Sequence, residues 1–193
     1  VHMGYHWCMR VQSVLLLLVA SACAHNSSPF SPTTTGASSV DGPRQDTVEI
    51  WRIDEDGTKI YVIGETPDGV ERVFMIDTGA SISVISQDVA DALGIEGEKA
   101  PGQIVGIGGS SPWFRDRMES LSIGAYDING VDVAIGVPGL PVRAGAVPLA
   151  GILGNNIWGE FALRVDYVAN ELTLARPGVF ARPKSATTLA YNG

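Results

Sequence analysis

Between residues 47 and 175 the apolar side chains come in short runs rich in Val and Ile, and Gly, Pro, Asp or Asn interrupts most runs before they reach helical length. Such runs build strands, since branched and aromatic side chains fit a pleated surface and turn residues end the pairing. The pattern therefore predicts a mostly β body with one or two short helices. Residues 47–53, 59–64 and 71–76 read as strands. Thr66-Pro67-Asp68-Gly69 between the last two reads as a hairpin turn, because proline presets one backbone angle and glycine accepts a positive one. Residues 86–93 read as the first helix: Ser86 caps it, Asp88 suits its positive end, Val89 and Leu93 share one face, and Gly94 ends it. Residues 103–109 and 113–118 suggest a second hairpin, with strands near 121–123 and 131–137. Pro138 and Pro141 then interrupt the pattern, and a short helix over 155–161 precedes a closing pair, 162–168 and 171–175. No long-period repeat emerges, and the 178–193 tail carries little apolar periodicity.

The placement of His and Cys narrows the chemistry further. Cys8, Cys23, His2, His6 and His25 all lie within the first 25 residues. The body downstream thus has no Cys-His pair, Ser-His-Asp triad, His/Cys zinc site or disulfide framework. Carboxylates, Lys, Tyr and hydroxyls remain. With 13 Lys and Arg against 21 Asp and Glu, a net charge of -8 argues against phosphate backbones, so no nucleic acid is expected as a partner. At 193 residues and 45% hydrophobic, the chain can bury a core of its own.

Residues 11–22 form an apolar run, preceded by Arg10 and closed by small residues before Cys23, which is the layout of a secretory signal. The run falls short of the roughly 20 apolar residues of a membrane span, so cleavage is expected. Met9 suits a true start, with Arg10 as a short basic head. Val19-Ala20-Ser21-Ala22-Cys23 resembles a bacterial lipobox, in which the cysteine becomes the lipidated first residue, and Ala24 suits sorting to the outer membrane. The alternative is an ordinary cleavage site that contains a Cys. Asn26-Ser27-Ser28 also fits a glycosylation sequon, a reading that explains fewer residues. Residues 24–46 are rich in Ser, Thr, Pro and Gly, and all 21 carboxylates follow residue 40. The expected organisation is a signal peptide over 1–23, a flexible tether over 24–46, a domain over 47–177 and a tail over 178–193.

The stretch Val73-Phe74-Met75-Ile76-Asp77-Thr78-Gly79-Ala80-Ser81 is an apolar strand running into an acid, a hydroxyl and a glycine. A carboxylate so placed lies against the core, where burial raises its pKa and hydroxyl or backbone donors lower it. The same residues also suit a strand that ends in an Asx-type turn. Downstream, Val105-Gly106-Ile107-Gly108-Gly109 lacks the Lys that a P-loop needs after its glycines. A dinucleotide fingerprint fits no better, because Ser111 stands where glycine belongs and Pro112-Trp113-Phe114 looks extended. A mobile hairpin tip accounts for it better.

Taken together, Asp77-Thr78-Gly79-Ala80-Ser81, the glycine stretch 105–109 and Gly151-Ile152-Leu153-Gly154 before a short helix resemble the retropepsin-like aspartic proteases. The similarity covers residues 47–175. It implies a closed, mostly β acid-protease barrel with one or two short helices and one lobe per chain. It also implies catalytic Asp77, a flap formed by Gly106, Ile107, Gly108 and Gly109, and a pocket and second signature at Ile152, Leu153 and Gly154. Thr78 would send its hydroxyl across a dimer axis, Gly79 would offer its carbonyl to substrate, and Ala80 and Ser81 would complete and support the loop. Ile107 would donate its N–H through a water, and Gly154 would let the next segment pack behind Asp77. Core packing is the other reading of Ile152 and Leu153.

One Asp-Thr-Gly per chain supplies half of a mechanism that needs two carboxylates sharing a proton. The expectation is a homodimeric, exported aspartic endopeptidase acting on peptide or protein segments, held at the membrane through Cys23, with no metal or organic cofactor. The competing reading is a non-catalytic peptide-binding module on the same fold. A Ser-Lys hydrolase is a third, disfavoured because Lys59 and Lys99 lie near turns. Asp166, in Asp-Tyr-Val-Ala-Asn, reads as a strand-turn residue. Two departures stand out. Asn155 and Asn156 occupy positions where relatives often carry Arg or Asp, and residues 137–150 form an insertion that suits a lid, an exchanged arm or a surface loop.

Overall fold

In the computed structural model, residues 36–52, 57–106, 109–135, 137, 140 and 143–181 are described, all within the unit Thr33–Gly193. The expected signal peptide, Cys23, most of the tether and the end of the tail lie outside the described residues. Among the described residues no helix is long and apolar enough to cross a membrane. The strands are β1 (Ser39–Asp41), β2 (Gln45–Glu49), β3 (Tyr61–Glu65), β4 (Glu71–Ile76), β5 (Ser83–Ile85), β6 (Glu98–Lys99), β7 (Ile104–Gly106) and β8 (Gly109–Ser111). They continue with β9 (Phe114–Ile123), β10 (Tyr126–Ile135), β11 (Arg143–Ala144), β12 (Val147–Pro148), β13 (Gly151–Leu153), β14 (Ala162–Asp166) and β15 (Glu171–Ala175). Two helices, α1 (Gln87–Leu93) and α2 (Asn155–Trp158), complete the set.

Six strands close into a barrel in the order β10, β5, β13, β4, β3, β9, with β9 pairing back onto β10. Closure removes the open edges of the six-stranded ring. The β3–β4 hairpin turns at Thr66–Gly69 as its sequence predicts, and the Arg72 guanidinium and the buried Thr66 hydroxyl hold the Asp68 carboxyl well below the usual range. Alternation along β4 decides which side chains enter the barrel. Phe74 is fully buried among Val62, Ile85, Leu121 and Leu153 in the main core, with Ile76 packed against it. Val73 and Met75 face the other way, beside Tyr61, Ala144 and Leu149. The β11–β12 hairpin of the 137–150 insertion thus packs on the outer surface of β3 and β4.

The helices also follow their local signals. Ser86 Oγ accepts from the Val89 N–H at 3.3 Å, and Gly94 closes α1 in the left-handed region at φ 67°. The β14–β15 pair turns where Asp166 Oδ1 accepts from the N–H groups of Val168 and Ala169, both at 2.9 Å. The Ala169 and Val168 donors hold the Asp166 carboxyl below its ordinary value, which makes it a turn residue.

Three features differ from expectation. Residues 113–118 do not return onto 103–109. Instead β7 pairs with β8, and the stretch from Phe114 begins a ten-residue strand paired with β10. The first four residues of β9 are exposed, so no hydrophobic alternation marks them as a strand. Secondly, Ser39–Asp41 of the expected tether is a strand on β10, and β2 begins at Gln45. Polar bonds hold this segment, with Asn129 Nδ2 donating to Ser39 Oγ at 3.2 Å and Asp41 Oδ2 at 3.1 Å, so its composition looks like that of a linker. Thirdly, α2 ends at Trp158, where the Gly159 N–H bonds the Asn155 carbonyl.

Candidate active site

Strand β4 delivers Asp77 to the end of the barrel. Its neighbour β13 runs parallel, with Leu153 in register with Ile76, so the chain leaving β4 runs beside the chain leaving β13. The Asp77 N–H donates to the Leu153 carbonyl at 3.0 Å, and the Asn155 N–H donates to the Ala80 carbonyl at 2.7 Å. Two backbone bonds from the segment flanking Gly154 therefore hold the two ends of the Asp77–Ala80 turn. Inside it, the Gly79 N–H donates to Asp77 Oδ1 at 2.8 Å and the Ala80 N–H to the Asp77 carbonyl at 3.2 Å. This is the Asx-type turn read from the sequence, here anchored on a second strand.

The carboxylate is half-buried, while Thr78, Gly79 and Ser81 are exposed and Ala80 is half-buried. Among the described residues the second carboxylate oxygen of Asp77 has no hydrogen-bond partner, and neither does the Thr78 hydroxyl. An acid with one oxygen held and the other free can take up or give a proton at that free oxygen.

At Gly154 the backbone of the neighbouring segment comes too close for a side chain. A Cβ there would sit 2.6 Å from the Ile82 carbonyl group and 2.9 Å from the Ala80 oxygen. Gly151 is tighter, with a Cβ only 2.0 Å from the Val84 oxygen, since β13 threads between β4 and β5. Leu153 is 1% exposed, so it is a core residue and not a pocket wall. Ile152, half-buried, pairs with Met75 and Val84.

The expected flap is a hairpin in which Gly106 pairs with Gly109, with Val105 78% exposed beside it. Its tip residues Ile107 and Gly108 lie outside the described residues. Trp113 Nε1 donates to the Pro101 carbonyl at 3.3 Å across the base of that hairpin.

Ser83 escapes a reading of the sequence, and Asn156 stands out there only as a departure from relatives. Ser81, expected to support the loop, has no side-chain bond among the described residues. Ser83, two positions on and buried, bonds instead to the segment after β13: its hydroxyl donates to Asn156 Oδ1 at 2.8 Å and accepts from the Gly154 N–H at 2.9 Å. A hydroxyl opening an apolar strand, and an Asn in a helix with its side chain toward the core, were the available signals.

Among the described residues no group of three or more His, Asp, Glu or Cys is placed to hold a metal. A cavity of about 360 Å³ lies elsewhere, at the opposite end of β4, lined by residues including Trp51, Ile63, Glu65 and Glu71. Asp77 is not among its lining residues.

The sequence matches the family described as aspartyl protease over residues 61–157, from β3 through Asp77 and the β7–β8 hairpin into α2. No curated protein matches the chain. Among solved structures, a retropepsin-like aspartic protease from Rickettsia conorii is 19% identical, with the match covering 72% of this chain and 94% of that one at a TM-score of 0.49.

Proposed function

The chain belongs to the aspartyl protease family, and on that premise we propose that it is an endopeptidase whose active form is a homodimer pairing Asp77 from each subunit. What carries the reading is one carboxylate per chain, set at the end of β4, bonded on one oxygen by the Gly79 N–H and open on the other. A single acid cannot be base and acid at once. Two of them across a two-fold axis share one proton, because close like charges resist ionising together.

In the monoprotonated pair, the ionised Asp77 takes a proton from a bound water while the protonated one donates to the scissile carbonyl oxygen. The water oxygen bonds the carbonyl carbon and a tetrahedral diol forms. The diol collapses by breaking the C–N bond: one diol hydroxyl returns its proton to the ionised Asp77 as the C=O re-forms, and the protonated Asp77 gives its proton to the leaving nitrogen. The unpartnered Thr78 hydroxyl would bond across the axis, the Gly79 carbonyl would accept from substrate backbone, and the flap with Ile107 would cover the peptide and exclude water. We also propose export, with the mature chain beginning at a lipidated Cys23 and held at the outer membrane facing the periplasm.

The test combines Asp77→Asn with sedimentation and binding of a pepstatin-type inhibitor. The variant should lose peptide cleavage while keeping its fold and dimer, and the inhibitor should bind the dimer alone. Unchanged turnover in the variant, or full activity in a monomer, would reject the mechanism.

A further inference from the structure

We propose that Asn156 is a positioning residue for Asp77, acting through Ser83 and Gly154; the proposal rests on Asp77 being the reacting acid. Asn156 is only 5% exposed, and its amide is committed on both sides. Oδ1 accepts from the Ser83 N–H and from the Ser83 hydroxyl, both at 2.8 Å, while Nδ2 donates to the Asp132 carbonyl at 2.8 Å. Two donors on one atom and an acceptor on the other leave the amide a single orientation.

One side chain thereby joins β5, β10 and the start of α2. Having given its proton to Asn156, the Ser83 hydroxyl presents a lone pair to the Gly154 N–H. Gly154 sits between the two residues that hold the Asp77 turn: Leu153, whose carbonyl receives the Asp77 N–H, and Asn155, whose N–H reaches the Ala80 carbonyl. Trp158 Nε1 adds a second bond to the same Leu153 carbonyl at 2.7 Å. Removing the amide frees Ser83, then Gly154, and with it both ends of the turn that carries the carboxylate. Buried polar chains of this kind act as a unit.

An amide suits this position because it offers a lone pair and an N–H at every pH. A carboxyl could make the same bonds only while protonated; ionised, it would face the Asp132 carbonyl with no donor. The strands packed against α2 carry few competing charges. β5 and β13 have none, and on β10 the Tyr126 hydroxyl bonds Leu174, Asp127 bonds Ser122 and Asp132 pairs with Arg117.

The experiment compares Asn156→Ala, Asn156→Asp and Ser83→Ala in the full chain by peptide cleavage over pH and by amide exchange at Asp77, Gly154 and Asn155. Asn156→Ala should lower kcat by about 10- to 100-fold with KM within about twofold, and should speed exchange at those amides. Asn156→Asp should approach parental kcat at acidic pH and lose it as pH rises, adding a limb that the parent lacks. Parental kcat and exchange in a folded Asn156→Ala, or the parent's pH profile in Asn156→Asp, would overturn the proposal. Should Asn156→Ala not fold, Ser83→Ala removes the hydroxyl's two bonds, to Asn156 and from Gly154, while the Ser83 N–H still donates to Asn156, and it must show the same split in milder form. Exchange needs no substrate, so a parent chain that fails to cleave would sink the protease reading while the positioning role is still decided.

Discussion

Substituting Gly154 by Ala tests whether the close approach of β13 to the Asp77 turn holds the site together. The added methyl would stand 2.6 Å from both the carbon and the oxygen of the Ile82 carbonyl, and 2.9 Å from the Ala80 oxygen. These are backbone atoms in the segment that carries the acid, so no side chain can swing aside. Restoring ordinary contact requires the two segments to separate by about 0.8 Å, and overpacking on this scale costs about 1–3 kcal/mol. At about 2–4 °C per kcal/mol, Tm should drop by roughly 2–12 °C. The larger effect should fall on catalysis. The displaced segment carries the bonds to Asp77 N–H and Ala80 O, and a shift near 1 Å at a reacting group lowers the rate by about 100-fold. Thermal unfolding and steady-state peptide cleavage read the two effects separately. A Gly106→Ala control, with open space around its new methyl, should melt with the parent. If Gly154→Ala also melts with the parent and cleaves at its rate, the steric argument for this glycine is wrong.

Two further outcomes are expected. Asp166 accepts from the Ala169 and Val168 N–H groups and its carboxyl is held below the ordinary value, so its stabilisation is present above the unfolded pKa near 3.9 and fades as pH falls through the folded one. Asp166→Ala should therefore lower Tm at neutral pH, with the gap to the parent narrowing in acid; a gap that widens on acidification would contradict this sign. Replacing Cys23 with Ser should release the exported chain from membranes in fractionation, and persistent tight association would point to another anchor.

Local chemistry made much of the fold and the core of the site legible. The turn at Thr66–Gly69, the Ser86 cap and Gly94 stop of α1, and the acid at the end of β4 each follow from residues a few positions apart, whose backbone preferences act wherever the chain goes. The glycine-rich hairpin and Gly154 were legible through resemblance, and the structure supplies the steric cause for Gly154.

What the linear chain could not disclose is non-local. The exposed first four residues of β9 have no periodicity to betray them, because their strand character comes from pairing with β10. The polar stretch 39–41 looks like linker and becomes a strand for the same reason. Most telling is the bond between Ser83 and Asn156, 73 positions apart. The sequence alone determined that an acid would end an apolar strand beside a glycine. Only the tertiary structure decided which buried amide holds that acid's turn in place, because a side-chain hydrogen bond between distant segments exists only after the barrel has closed and brought them together.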